Sequence, residues 1–81
     1  MNMKTNVIFK NGLNLVCDSV NVYSHTTFMY IHNVNNSTKM ELMNECLKNK
    51  WGCIEENNSI HPDAVRLSID NNDIERFALV L

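Results

Sequence analysis

The dipeptide Asn11-Gly12 lies between two apolar stretches, and it constrains the fold more than any other feature of the sequence. Asn-Gly supplies both positive-φ residues of a type I′ turn, the tightest connection between antiparallel strands. A two-residue loop predicts that Ile8 lies opposite Leu15, and it brings apolar side chains out on both faces of the hairpin. We therefore expect a curled sheet or a small barrel rather than a flat sheet with one face in water.

Two later segments extend this hairpin into a meander. Residues 20–23 alternate apolar and polar side chains, and residues 26–32 are rich in β-branched and aromatic side chains, so both segments are typical of strands. The predicted hairpin and meander together cover residues 4–33.

Residues 38–51 have the pattern of one amphipathic helix. Thr38 and Glu41 match a capping box at its start, and Met40 and Leu47 lie on one stripe at helical spacing. Gly52 follows as the left-handed residue that ends many helices.

The carboxyl-terminal third begins with a polar connection and ends with two strand-like segments. A turn at residues 70–73 lies between them and predicts a C-terminal hairpin over residues 64–81. A three-residue loop in this hairpin pairs Leu67 with Phe77. Because the last segment is apolar, we expect it inside the sheet rather than at an edge.

Taken together, the elements predict an α+β fold in which residues 1–81 form a single compact domain. We expect a small antiparallel sheet or partly open barrel of about five strands, packed with the one helix. The order is β-β-β-α-β-β, in which the two meander segments count together as one strand or a split strand. The same element order matches a small OB-type barrel, and strand order alone does not decide between an open sheet and a barrel.

Size and charge restrict the function. A chain of 81 residues with 44% hydrophobic and 20% charged residues has a globular composition, but it has little interior for an enclosed active site. Its net charge of -2 does not favour direct binding to nucleic acid. Its apolar runs are too short for a signal peptide or a membrane span, so we expect no membrane association and a cytoplasmic location.

Cysteines, histidines and glycines give no signature of a cofactor, a metal or catalysis. The cysteines lack the paired short spacings of structural zinc sites, and the two glycines are accounted for by a turn and a helix end rather than a phosphate loop. We expect no catalytic, cofactor or metal residues. A small metal-binding protein stays an alternative, built on Cys17, Cys46 and Cys53 with His25, His32 and His61.

Three aromatic residues of the meander, Tyr23, Phe28 and Tyr30, would form a base-stacking platform if basic residues flanked them. No Lys or Arg lies between Ser19 and Thr38, so packing in a core or an interface explains these rings better. A small OB-like or SH3-like barrel that binds single-stranded nucleic acid, or that forms a homo-oligomer through its sheet edge, is the second hypothesis.

The leading hypothesis is a non-catalytic protein-binding module with an acidic surface. Residues 55–81 carry six acidic and two basic side chains, and residues 1–54 carry a small positive excess. The fourteen asparagines indicate AT-rich coding, as in a low-GC bacterium or its phage. We expect an inhibitor of phage or mobile-element type, similar in manner to anti-CRISPR proteins, that acts in a bacterial host on a larger host or defence protein, including one that binds nucleic acid. The expected contact residues are Tyr23, Tyr30, Glu55, Glu56, Asp70 and Asp73.

Overall fold

The computed structural model describes residues 3–80, so the ends of the predicted domain, residues 1, 2 and 81, lie outside the described residues. Within this range the chain forms seven strands and one α-helix. Their bounds are β1 Lys4–Phe9, β2 Asn14–Cys17, β3 Ser19–Val22, β4 Thr26–Ile31, α1 Asn36–Asn49, β5 Gly52–Glu56, β6 Ala64–Asp70 and β7 Ile74–Val80, with a short 3-10 turn at Asn71–Asp73.

The strands form two open antiparallel sheets, so the α+β prediction is confirmed and the strand number is somewhat above five. One sheet has three strands in the order β2-β1-β7, and the other has four in the order β3-β4-β6-β5. The additional strand β5 lies in the segment that we expected to be a polar connection.

The first hairpin forms where Asn11 and Gly12 predict it, but the predicted register is wrong by one residue. Val7, rather than Ile8, lies opposite Leu15. The Phe9 amide donates to the Leu13 carbonyl at 2.9 Å, so the loop has three residues, and Gly12 takes a φ of 94°. One face of the hairpin therefore points into the core, where Val7 is completely buried.

A single residue, Asp18, separates β2 from β3 and carries the chain from one sheet to the other. Its amide donates to the Tyr30 carbonyl at 2.8 Å. Its carboxylate accepts from the His32 amide at 2.8 Å and lies 3.4 Å from the Lys4 ammonium group. These contacts fix the corner at which the two sheets meet.

The predicted C-terminal hairpin is wrong. β6 pairs with β4 and β5, whereas β7 crosses to the other sheet and pairs with β1. Phe77 consequently lies opposite Val7 and not opposite Leu67. β7 also forms an edge of its sheet, contrary to the expectation that it lies inside.

The helix is confirmed, but both of its ends differ from the prediction. Asn35 caps the start, since its side-chain oxygen accepts from the Thr38 amide at 2.8 Å. Lys50, with a φ of 62°, takes the left-handed position at the end in place of Gly52. Met40 and Leu47 face solvent, while Leu42 and Cys46 are the buried residues of the helix. No helix within residues 3–80 is long and apolar enough to cross a membrane.

The core lies between the two sheets and beneath the helix. Its completely buried strand residues come from β1, β2, β4 and β6, and the helix side adds Leu42, Cys46 and Trp51. The outward face of the four-stranded sheet remains uncovered by the helix, and it carries the site described next.

Candidate interaction surface

Aromatic and charged side chains share the outward face of the four-stranded sheet. Tyr30 on β4 lies opposite Arg66 on β6, and Arg66 lies opposite Ile54 on β5. Residues directly opposite one another in antiparallel strands point to the same face. We name this surface the aromatic face and define it by Tyr23, Phe28, Tyr30, Ile54, Arg66 and the loop residue His61.

Tyr23 and Phe28 form the exposed end of the aromatic face. Their rings meet edge to face, with centroids 5.4 Å apart. Tyr23 is 56% exposed, and Phe28 is half-buried. The structure thus places one nominated aromatic contact residue at the surface, held by its neighbour.

Arg66 supplies the cation that sequence reasoning did not find beside these aromatic residues. Its guanidinium carbon lies 4.7 Å from the centroid of the Phe28 ring, which is the geometry of a cation–π contact. Its Nη1 donates to the Glu56 carboxylate at 2.9 Å. The signal was present in the sequence, because Arg66 alternates with the apolar residues Val65 and Leu67 and so had to face outward.

Tyr30, the second nominated aromatic residue, is covered rather than exposed. The His61 ring stacks on it with a centroid separation of 3.6 Å and an interplanar angle of 5°. Only 7% of Tyr30 is accessible. His61 is itself held by a 2.9 Å contact between its Nδ1 and His32 Nε2, in which one ring nitrogen donates and the other accepts.

The loop that carries His61 is tied down along its length. The side-chain oxygen of Asn58 accepts from the Ile60 and His61 amides at 3.0 and 2.7 Å. The Asn33 amide donates to the Pro62 carbonyl at 3.1 Å, which fixes the loop to the end of β4. The stacked ring is therefore a fixed part of the aromatic face.

The nominated acidic residues do not form one surface. Glu55 and Glu56 lie at the end of β5 that pairs with the start of β6, whereas Asp70 ends β6 and Asp73 follows it. The length of β6 separates the two groups by roughly 20 Å, at about 3.3 Å per strand residue.

Several of these carboxylates also have partners. Lys39 contacts Glu55 at 2.9 Å and Asp63 at 3.2 Å, and hydrogen bonding first to Glu55 and then to Asp63 raises the pKa of the Lys39 ammonium group. Asp70 accepts from the Asn72 amide at 2.9 Å, and Asp73 accepts from the Trp51 indole at 3.1 Å. The acidic side chains are thus used largely within the molecule.

The cysteines lie where a thiolate is disfavoured. Burial, with a smaller contribution from the charge of Asp18, raises the pKa of Cys17 to about 11. Burial, followed by the neighbouring Cys53, raises the pKa of Cys46 to about 12. Because the thiolate is the nucleophile and the metal ligand, these environments do not favour either role. Within residues 3–80, no group of three or more His, Cys, Asp or Glu side chains is arranged to hold a metal ion.

Comparison with known proteins does not assign the chain to a family. A scan against protein-family models, a search of the curated proteins and a search of the solved structures each found no match.

Proposed function

We propose that this chain is a non-catalytic protein-binding module and that the aromatic face is its contact surface. The observation that supports the proposal is the exposed Tyr23, fixed edge to face against Phe28, with Arg66 over the same ring. Tyrosine and arginine are enriched among the residues that dominate binding energy at protein interfaces. Residues held in place before binding lose less conformational entropy when the partner arrives.

The charge around the aromatic face favours a protein over a nucleic acid. Arg66, the cation of the aromatic face, is neutralised by Glu56. Binding to a phosphate backbone depends on uncompensated Lys and Arg side chains that release counterions. Exposed apolar area from Tyr23 and Ile54 suits a partner protein that offers an apolar pocket.

A narrower form of this proposal names the kind of partner. In this form the chain inhibits a larger host or defence protein inside a bacterial cell. AT-rich composition and small size support that form. Mimicry of a nucleic acid by one acidic surface has less support, because the acidic residues are separated and largely engaged with other groups. Contact through Tyr23 and Arg66, with Glu56 beside Arg66, is the form that we favour.

Affinity measurements with matched variants test the proposal. The immobilised chain captures its partner from a bacterial lysate, and the captured protein is purified and titrated against Tyr23→Ala and Met40→Ala. Met40 is a suitable control because it is 66% exposed on the helix. We expect Tyr23→Ala to weaken binding at least tenfold and Met40→Ala to leave binding unchanged, as removal of an interface anchor costs about 2 kcal/mol or more. Equal binding by both variants would remove the aromatic face from the proposal.

Titration of fluorescently labelled single-stranded DNA with the protein tests the alternative function, nucleic-acid binding. We expect no specific binding at low salt, because the one cation of the aromatic face is paired. Binding that falls steeply with added salt and is lost in Tyr23→Ala would replace the protein-binding proposal with nucleic-acid binding.

A further inference from the structure

A second surface lies where the two sheets part, between their edge strands β3 and β7. The groove here has a volume of about 240 Å³ and is lined by Thr5, Val20, Val22, Phe77, Ala78 and Leu79. Phe77 and Leu79 lie opposite Val7 and Thr5, so both side chains point to the core side of their sheet. They are nevertheless 42% and 68% exposed, because the core is open at this side.

The two halves of β7 differ in how well they resist pairing with another strand. Within residues 3–80, β7 pairs with β1 alone, so its other backbone edge has no strand partner. The first half contains an irregularity in register next to Ile8 and carries Glu75 and Arg76, and both features discourage pairing at an edge. The second half, residues 77–80, has no charge and no proline.

We propose that residues 76–80 of β7 pair antiparallel with the same segment of a second copy of this chain, centred on the uncharged second half of the strand and forming a two-fold dimer. The two three-stranded sheets then join into one continuous sheet of six strands. With Ala78 on the two-fold axis, Phe77 lies opposite Leu79 of the second copy, and both side chains stay on the groove side. The dimer lengthens the apolar groove and joins its two halves.

Charge disfavours the two registers that are centred nearer the start of β7. Centring the pair on Phe77 places Glu75 opposite Leu79 on the apolar side, and centring it on Arg76 places two guanidinium groups face to face. A shift by a single residue turns the apolar side chains of one copy to the other face. The register centred on Ala78 instead sets Arg76 opposite the uncharged Val80.

The apolar side chains beside the free edge of β7 support a second copy as the occupant, and their small area indicates a weak association. On the groove side, Val22, Phe77 and Leu79 expose 59%, 42% and 68% of their surface. Together these fractions amount to roughly 300 Å² per copy, the size of the largest apolar patch on many monomers, which is often functional. An interface built on two such patches stays below about 1,200 Å² in total, the range of weak and transient association. We therefore expect a dissociation constant in the micromolar range rather than an obligate dimer.

Sedimentation equilibrium over about 5 µM to 1 mM protein tests the dimer. We expect the wild-type mass to rise from monomer to dimer, Leu79→Lys to stay monomeric throughout, and Met40→Lys to dimerise like the wild type. Leu79 and Met40 are 68% and 66% exposed, so the two variants are matched in exposure. A wild type that stays monomeric, or a folded Leu79→Lys that dimerises equally well, would overturn the proposal.

Disulfide cross-linking between two copies tests the dimer independently if Leu79→Lys fails to fold. Ala78→Cys places two thiols together on the two-fold axis, so mild oxidation should yield a covalent dimer. Val16→Cys, at a 47% exposed position on β2, should yield none above the wild-type background. Equal cross-linking of both variants, or none in Ala78→Cys, would refute the register. Neither outcome bears on the aromatic face, because Tyr23→Ala tests that surface separately.

Discussion

Replacing Arg66 with methionine should lower the free energy of unfolding by about 1–2 kcal/mol, since methionine keeps much of the apolar stem and removes only the charge. The side chains of Arg66 and Glu56 are 27% and 20% exposed, so their 2.9 Å ion pair is partly buried. An exposed pair contributes about 0.2–1 kcal/mol, and this one should lie in the upper half of that range or somewhat above it. The contact of the guanidinium group with Phe28 adds about 0.5–1 kcal/mol.

Urea denaturation of Arg66→Met, Glu56→Gln and the double variant isolates the ion pair. We expect a coupling energy of about 0.5–1.5 kcal/mol from this cycle. Lys39→Met with Glu55→Gln is the matched control, because that ion pair has the same 2.9 Å separation but its Glu55 side chain is 58% exposed. Its coupling should be smaller than that of Arg66 and Glu56, because solvent screens the exposed carboxylate. A coupling for Arg66 and Glu56 no larger than the control would refute the assignment of Arg66 as a fixed element of the aromatic face.

Three further predictions concern the backbone and the thiols. Lys50→Gly should stabilise the protein by roughly 0.5–1 kcal/mol, because Lys50 holds a φ of 62°; an unchanged urea midpoint would contradict this. Gly52→Ala should destabilise it, because a Cβ there would lie 3.2 Å from the Ser68 Cβ, and the same change should cost less stability when it is made in a Ser68→Gly variant. Burial raises the pKa of Cys17 to about 11 and that of Cys46 to about 12, above the ordinary 9.0, so the folded state holds these protons more tightly. The contribution of these thiols to the free energy of unfolding should therefore be fully present below about pH 9 and should be lost as the pH rises through 11 and 12. In urea denaturation over this range, Cys17→Ala should lose less stability than the wild type.

Local patterns predicted those elements that neighbouring residues determine. Asn11-Gly12 located the first turn, and the β-branched and aromatic segment located β4, because turn chemistry and side-chain period act over a few residues. The helix was located for the same reason. Its cap was not, because Asn35 and Thr38 are both good capping residues, and which of them caps depends on how the preceding loop leaves β4.

Long-range pairing could not be obtained in this way. The apolar pattern of β7 is compatible with pairing either to β6, which precedes it in sequence, or to β1 at the other end of the chain. The irregular register at Glu75 accompanies the pairing with β1. β5 was missed because its Glu55 and Glu56 have the composition of a loop. Its partners on β6 hold it in the sheet despite that composition.

The candidate site could be predicted only in part, because it too depends on long-range strand pairing. Tyr23 could be nominated from its own segment. Arg66 and His61, however, lie more than thirty positions along the chain from the aromatic residues that they contact, Phe28 and Tyr30. Their proximity to Phe28 and Tyr30 depends on the pairing of β4 with β6. The acidic surface was expected because charge was counted along the chain, and counting does not show which carboxylates meet a cation.

Trp51 provides an internal optical probe of the whole assembly. Its ring stacks on Phe9 with centroids 4.6 Å apart, and its indole nitrogen donates to Asp73. Since it is the one tryptophan in the sequence, its emission reports directly on whether the helix end, β1 and the turn before β7 remain together. Separation of the three-stranded sheet from the four-stranded sheet would expose Trp51 to water and shift its emission to longer wavelength, even if the helix stayed intact. Fluorescence and circular dichroism recorded on the same sample would therefore distinguish separation of the sheets from unfolding of the helix.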